Sequence, residues 1–272
     1  MAKIADLLAA GRTTSFEFFP PKSEEGAKVL DDALDDLALL DPSFVSVTYG
    51  ALGTTREPTR NLVLRIDGER SFPAMPHLTC VGHTRDQIHS LVEDYRAAGI
   101  ENVLALAGDP PADGSEAVGD FTYATELLGL VRDVGPFSVG VAAFPEVHPR
   151  SPDRDTDLRF LAAKLEQADF GMTTFFFEAE HHLRMVEELA ALGCDKPVIP
   201  GVMPFISVPG TIRMAAMNGT SIPASLRERQ DKALKDPMGY SPDMESTDVS
   251  GGGLSEFDRD GFRKDLKNVF NP

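Results

Sequence analysis

Cysteine is scarce in this sequence, long apolar runs are missing, and basic residues are outnumbered by acidic ones. The two cysteines, Cys80 and Cys194, lie far apart in apolar settings, and neither has a second ligand at metal-binding spacing. That pattern excludes a disulfide framework or a zinc site and reads both as reduced core thiols. No stretch reaches the roughly eighteen apolar residues that a membrane-spanning helix needs. The opening MAKIADLLAAGRTTSF has too short an apolar segment, and too early an acid, for a secretory signal, so a cytoplasmic protein is expected. Against 43 acidic residues stand 26 basic ones, a net charge of −17. Such a surface repels phosphate backbones and anionic lipid, so neither nucleic acid nor membrane is an expected partner.

A length of 272 residues with 42% hydrophobic content fills one core of ordinary α/β-barrel size, and a single domain is the default. Over the first 203 residues, short β-rich runs alternate with helical patterns, the mark of βα units around a parallel sheet. Seven strands are predicted: Ser15 to Phe19, Phe44 to Thr48, Met75 to Cys80, Asn102 to Ala107, Phe137 to Phe144, Met172 to Phe177 and Pro197 to Val202. Several are apolar almost throughout, as strands covered on both faces must be. Between them, Ile88, Leu91, Val92 and Tyr95 recur at helical spacing, as do Leu158, Leu161, Ala162 and Leu165, and Thr84 with Gln87 forms a capping box.

No reversal of strand order is signalled, so the expected fold is a (βα)8 TIM-type barrel rather than an open sheet. Its eighth strand is atypical or missing. That strand should follow a helix near Val208 to Met217, yet from Pro209 onward no run of four strand-forming apolar residues occurs. A helical stretch, Pro223 to Lys235, leads into DPMGYSPDMESTDVSGGG, whose composition is that of a linker. Gly251 to Gly253 lack the flanking strand and helix of a phosphate loop. Beyond them Leu254, Phe257, Phe262, Leu266 and Phe270 recur at roughly helical intervals. The expected division is a barrel with the active site over residues 1–235, then a linker and short C-terminal helix over 236–272.

In such a barrel the site gathers at the C-terminal ends of the strands. Glu17 is the sharpest candidate, because a carboxylate flanked by Phe16, Phe18, Phe19 and two prolines is expected to lose hydration on folding. Desolvation raises a carboxyl pKa and prepares a general acid that works near neutrality. An outward-facing or ion-paired Glu17 is the bland alternative. Asp109 sits in GDPP, where it could tune a cofactor ring or simply form an Asx turn. His77 and His148 stand at strand ends, where a histidine is either a structural donor or a catalyst. Phe175 to Phe177 read as core or as an aromatic wall, and His181 and His182 as a solvated helix start.

Taken in order, SFEFFPPKSEEG, FVSVTYGALG, PHLTC, GDPP, AAFPEVHP and FFF resemble the methylenetetrahydrofolate reductase family, over about Thr13 to about Glu228. The resemblance implies a (βα)8 barrel that binds FAD at its mouth. It implies hydride transfer from NADH or NADPH through the flavin to 5,10-methylenetetrahydrofolate, giving 5-methyltetrahydrofolate for one-carbon metabolism and methionine biosynthesis. Glu17 then protonates the folate as its imidazolidine ring opens to the iminium ion, and Asp109 lies close to the flavin ring and helps hold the folate. Thr48, Tyr49, Ala51, His77, Gly108, Tyr123, Ala124, Ala142, His148, Asp157 and Lys164 fall on FAD positions, with Asp109 and Phe144 beside them. Thr48 and Thr174 join Glu17 and Asp109 as expected folate contacts. Family members are commonly homo-oligomers.

Other positions depart from the family. Ala107 replaces an arginine, Thr174 a glutamine and Phe144 a tyrosine, and Phe160 and Ala163 stand where polar flavin contacts are usual. After the seventh strand, Gly210 and Met214 replace a folate-facing glutamine and phenylalanine. A hydrogen bond to a charged group, of the kind these replacements remove, is worth about 1.5–3 kcal/mol. Three readings stay open: the flavin-dependent reductase, a relative with another hydride donor or one-carbon reaction, and a folate-binding barrel without turnover.

Overall fold

Strand alternation decides which residues line the inside of this molecule. The computed structural model describes residues 2–49, 56–108, 119–203 and 208–228. Its strands are β1 (Ser15–Phe18), β2 (Phe44–Val47), β3 (Ala74–Thr79), β4 (Asn102–Leu106), β5 (Ser138–Ala143), β6 (Phe170–Phe175) and β7 (Val198–Gly201). They form one parallel sheet in sequence order. The helices are α1 (Ile4–Ala10), α2 (Glu24–Ala38), α3 (Arg56–Glu69), α4 (Arg85–Ala97), α5 (Ala124–Val134), α6 (Arg154–Gln167), α7 (Ala179–Ala191) and α8 (Val208–Asn218).

One set of alternating positions, including Val45, Val47, Leu78, Val103, Val139 and Val141, packs under the helices in the main core. The other set turns inward. Phe44, Met75, Leu104 and Phe170, from four different strands, meet around Ile4 of α1, so the sheet curls about this helix as a TIM-type barrel does. Asn102 and Ser138 fix that floor: Asn102 Oδ1 accepts from Ile4 N at 2.7 Å, and Ser138 Oγ accepts from Ala5 N at 3.1 Å.

Local chemistry explains the helix starts. Thr84 Oγ1 accepts from Gln87 N while Gln87 Oε1 accepts from Thr84 N, completing the expected capping box of α4. Ser23 and Asp153 cap α2 and α6 in the same sense, through Gly26 N and Thr156 N. The predicted stripes Ile88–Tyr95 and Leu158–Leu165 face the sheet.

All seven predicted strands are present, with ends displaced by one or two residues. The sixth begins at Phe170 and leaves Phe176 and Phe177 outside, because Gly140 on β5 opens a space in the barrel that the Phe170 ring fills. No eighth strand exists among the described residues, and β1 and β7 each pair on one side only. The helical stretch after Pro223 covers residues 224–228; the expected linker and closing helix, and Gly251 to Gly253, lie outside the described residues.

Candidate active site

Glu17 points into the barrel, level with Ser46 of β2, while Phe16 and Phe18 point the other way into the helix layer. The phenylalanines therefore do not desolvate the acid. Its side chain is 48% exposed, which corrects the expectation of lost hydration. Sequence neighbours on a strand lie on opposite faces, and β1 has no described partner strand on its outer side.

Across the interior stands His77, on the inner face of β3. Its Nε2 lies 3.6 Å from Glu17 Oε2, too long for a hydrogen bond. Burial holds the imidazole below the usual histidine range, against the pull of the Glu17 charge, so His77 is neutral at pH 7 and the pair is not an ion pair. Both His77 Nε2 and Thr79 Oγ1, two residues further along the same face, are buried without a hydrogen-bond partner among the described residues. Such orphaned groups facing a barrel mouth suit a polar ligand. Thr79 carried no sequence signal beyond its strand position.

The opposite wall is built by β5, β6 and α6. Lys164 Nζ donates to the carbonyl of Ala142 at 2.9 Å, and burial lowers its pKa although Asp157 opposes the shift. Asp157 itself is occupied by the loop after β5: Oδ2 accepts from His148 N and Oδ1 from Ser151 Oγ, each at 2.9 Å. His148 Nδ1 accepts from Arg150 N, and its ring meets Phe144 edge-on with centroids 4.3 Å apart. Phe144 and Thr174 line a cleft closed by Asn218, Gly219 and Thr220, which follow from α8. Thr220 Oγ1 donates to Phe175 O, and Ser221 N to Glu146 Oε1, so the end of α8 is pinned over β5 and β6 at the barrel mouth.

Gly108 adopts φ +93°, and a methyl group there would overlap Val81. The glycine is demanded first by the chain's own packing. Thr48 is buried, its carbonyl accepting from Thr59 Oγ1 at 2.8 Å. The Tyr49 side chain turns away from the mouth into the helix layer. There it meets His83, a buried histidine that no motif singled out. His83 Nδ1 donates to the Val81 carbonyl, so Nε2 accepts from Tyr49 OH at 3.1 Å, and burial pushes the tyrosine pKa up to about 12. Tyr123 and Ala124 begin α5 with the Tyr123 ring exposed. Ala51 and Asp109 lie outside the described residues.

The histidine pair on α7 is not the solvated start expected. His182 Nε2 hydrogen-bonds Val198 O and stacks on Phe176, and His181 Nε2 lies 3.3 Å from Glu178. Cys80 and Cys194 are free, and no group of metal-ligating side chains forms among the described residues. No described helix is long and apolar enough to cross a membrane.

A family model described as methylenetetrahydrofolate reductase matches residues 3–241. The 5,10-methylenetetrahydrofolate reductase of Salmonella typhimurium is 38% identical over 212 residues, 77% of this chain and 70% of that protein. Its Escherichia coli counterpart is 35% identical over 243 residues, 89% and 78%. Methylenetetrahydrofolate reductase (NADH) 1 of Arabidopsis thaliana is 35% identical over 82% of this chain, which spans 40% of the plant protein. Among solved structures, a protein from Clostridium thermocellum that binds two copies of 5-methyl-5,6,7,8-tetrahydrofolic acid superposes with a TM-score of 0.58 at 17% identity, covering 84% of this chain and 78% of that one. At that identity the likeness is one of fold. The match across nearly the whole described barrel, strands and mouth alike, places the chain in the methylenetetrahydrofolate reductase family.

Proposed function

We propose that this protein is a cytoplasmic enzyme that reduces 5,10-methylenetetrahydrofolate to 5-methyltetrahydrofolate with NADH or NADPH, through FAD, using Glu17 as general acid. The observation that carries the reading is the inward Glu17 at the end of β1, facing the buried His77 in a chain of this family. The reaction consumes one hydride and one proton. FAD, when bound, supplies a two-electron carrier between the nicotinamide and the folate.

The residues of the mouth fit such a group. Thr79 Oγ1 offers a buried hydrogen-bonding atom with no described partner. Ala142 leaves the inner face of β5 low toward the mouth, and Lys164 brings a positive charge to a strongly acidic protein. In this reading Glu17 delivers a proton to a folate nitrogen as the carbon–nitrogen bond of the methylene bridge breaks; the electron pair of that bond receives the proton. Water reaches the exposed edge of Glu17 and returns the proton after each turnover.

Ala107, the 64%-exposed Phe160 and the exposed Ala163 favour a second reading, a flavin-independent or otherwise diverged folate one-carbon enzyme, or a folate-binding barrel without turnover. Flavin absorbance decides between them. Purified protein should be yellow, bleach with NADH or NADPH under anaerobic conditions, and recover its colour on adding methylenetetrahydrofolate. Colourless protein that FAD does not reconstitute rejects the flavin reading. Glu17→Gln should retain flavin reduction and lose reoxidation by folate; equal loss of both half-reactions would make Glu17 structural.

A further inference from the structure

Few groups in the barrel interior are as poorly provided for as the His77 imidazole. It is buried, its Nε2 has no hydrogen bond among the described residues, and its nearest ionisable neighbour is a carboxylate 3.6 Å away. The inner faces of the adjoining strands carry Ser46 and Thr48 on β2 and Leu104 and Leu106 on β4, none of them ionisable near neutrality. Glu17 is the charged group among the described residues whose field acts on His77. Asp109, which follows β4, lies outside them.

We propose that His77 is the positioning residue for Glu17, an uncharged partner that aims the carboxyl along the barrel without the positive charge that would strip its proton. The inference rests on the function proposed above. A general acid must remain protonated until the folate nitrogen takes the proton, and a lysine or arginine 3.6 Å away would favour the ionised form instead. A neutral imidazole serves both states. From Nε2 it donates to the ionised carboxylate, and in the other tautomer it accepts from the protonated one. A small rotation of the half-exposed Glu17 side chain closes the gap to hydrogen-bond length, as such contacts tighten when substrate binds. Burial of His77 is then functional, since it keeps the imidazole uncharged beside an anion.

Paired amide substitutions test this on the FAD-loaded enzyme. Glutamine places a donor near the position of Nε2, asparagine near that of Nδ1. His77→Asn should reoxidise its flavin with methylenetetrahydrofolate about 10- to 100-fold more slowly than His77→Gln, the cost of aiming a catalytic group wrongly by up to about 1 Å. Flavin reduction by NADH should respond equally in both. His77→Lys should move the alkaline limb of the folate half-reaction down by about one pH unit or more, as a cation lowers the carboxyl pKa. Equal damage to both half-reactions in both amides, or unimpaired folate reduction in His77→Asn, would overturn the proposal. A second readout needs no turnover: in 15N-histidine spectra of the protein without FAD, Glu17→Gln should lower the His77 titration midpoint, and an unmoved midpoint would overturn it. If the wild-type protein proves colourless, the proposed function fails, yet the spectra still report whether the two side chains are coupled.

Discussion

In the proposed reaction Glu17 has to be reprotonated after each turnover, and its half-exposed side chain keeps contact with water. The two other ionisable groups that matter here are held against their charge. Lys164 is buried with its pKa lowered, so desolvation works against its charged form in the folded state. Lys164→Met should therefore raise the melting temperature of the FAD-free protein while weakening FAD binding, as read by thermal melts and flavin titration. A lowered melting temperature would mean that the bond to Ala142 O outweighs desolvation. His77 gives a pH dependence of defined sign. Its folded pKa lies below the 6.5 of the unfolded chain, so its contribution to stability is present above that value and is lost as pH falls toward the folded one. Urea midpoints between pH 7 and pH 5 should fall less in His77→Gln than in the wild type, by up to about 1.4 kcal/mol per pH unit.

Among the elements, β5 has no side chain at one inward position, Gly140. A methyl group there would strike the Phe170 ring and sit 3.0 Å from Leu104 Cδ1, so Gly140→Ala should cost about 1–3 kcal/mol in urea denaturation. The strand pattern was legible because period-2 and period-3.6 apolar spacing report burial directly, as Val139 and Val141 on β5 and Ile88 to Tyr95 on α4 do. Alternation set Glu17 on the face opposite Phe16 and Phe18 but left open which of the two faces turns inward. The hydration of Glu17 was not legible either: the flanking Phe16 and Phe18 suggested an apolar pocket, but they belong to the opposite face, and exposure depends on what adjoins β1 in space. Tyr49 and His83 show a second limit. Their pairing joins the ends of β2 and β3 and answers to no motif, only to the turn that folds Val81 O back on His83 Nδ1. His182 of α7 is held by Phe176 and Val198, contacts between residues of different elements that helical position alone does not reveal.

For the whole molecule, a net charge of −17 implies self-repulsion in the compact state, and raising NaCl from low to physiological concentration should raise the melting temperature. A one-sided sheet also has a gradient of protection. Amides of β3, β4 and β5, paired on both sides, should exchange with deuterium more slowly than those of β1 and β7. Synthesis imposes a further order through the barrel floor. The helix that seats Ile4 and Ala5 is made well before its anchors, since Asn102 and Ser138 come 98 and 133 residues later. At about 5–20 residues per second, the Ser138 anchor follows Ala5 by roughly 7–27 s. For that time Ile4 and Leu8 lack part of the floor that buries them, so this early helix is among the last pieces to be seated, and a nascent chain stalled before β5 presents it to whatever chaperone is near.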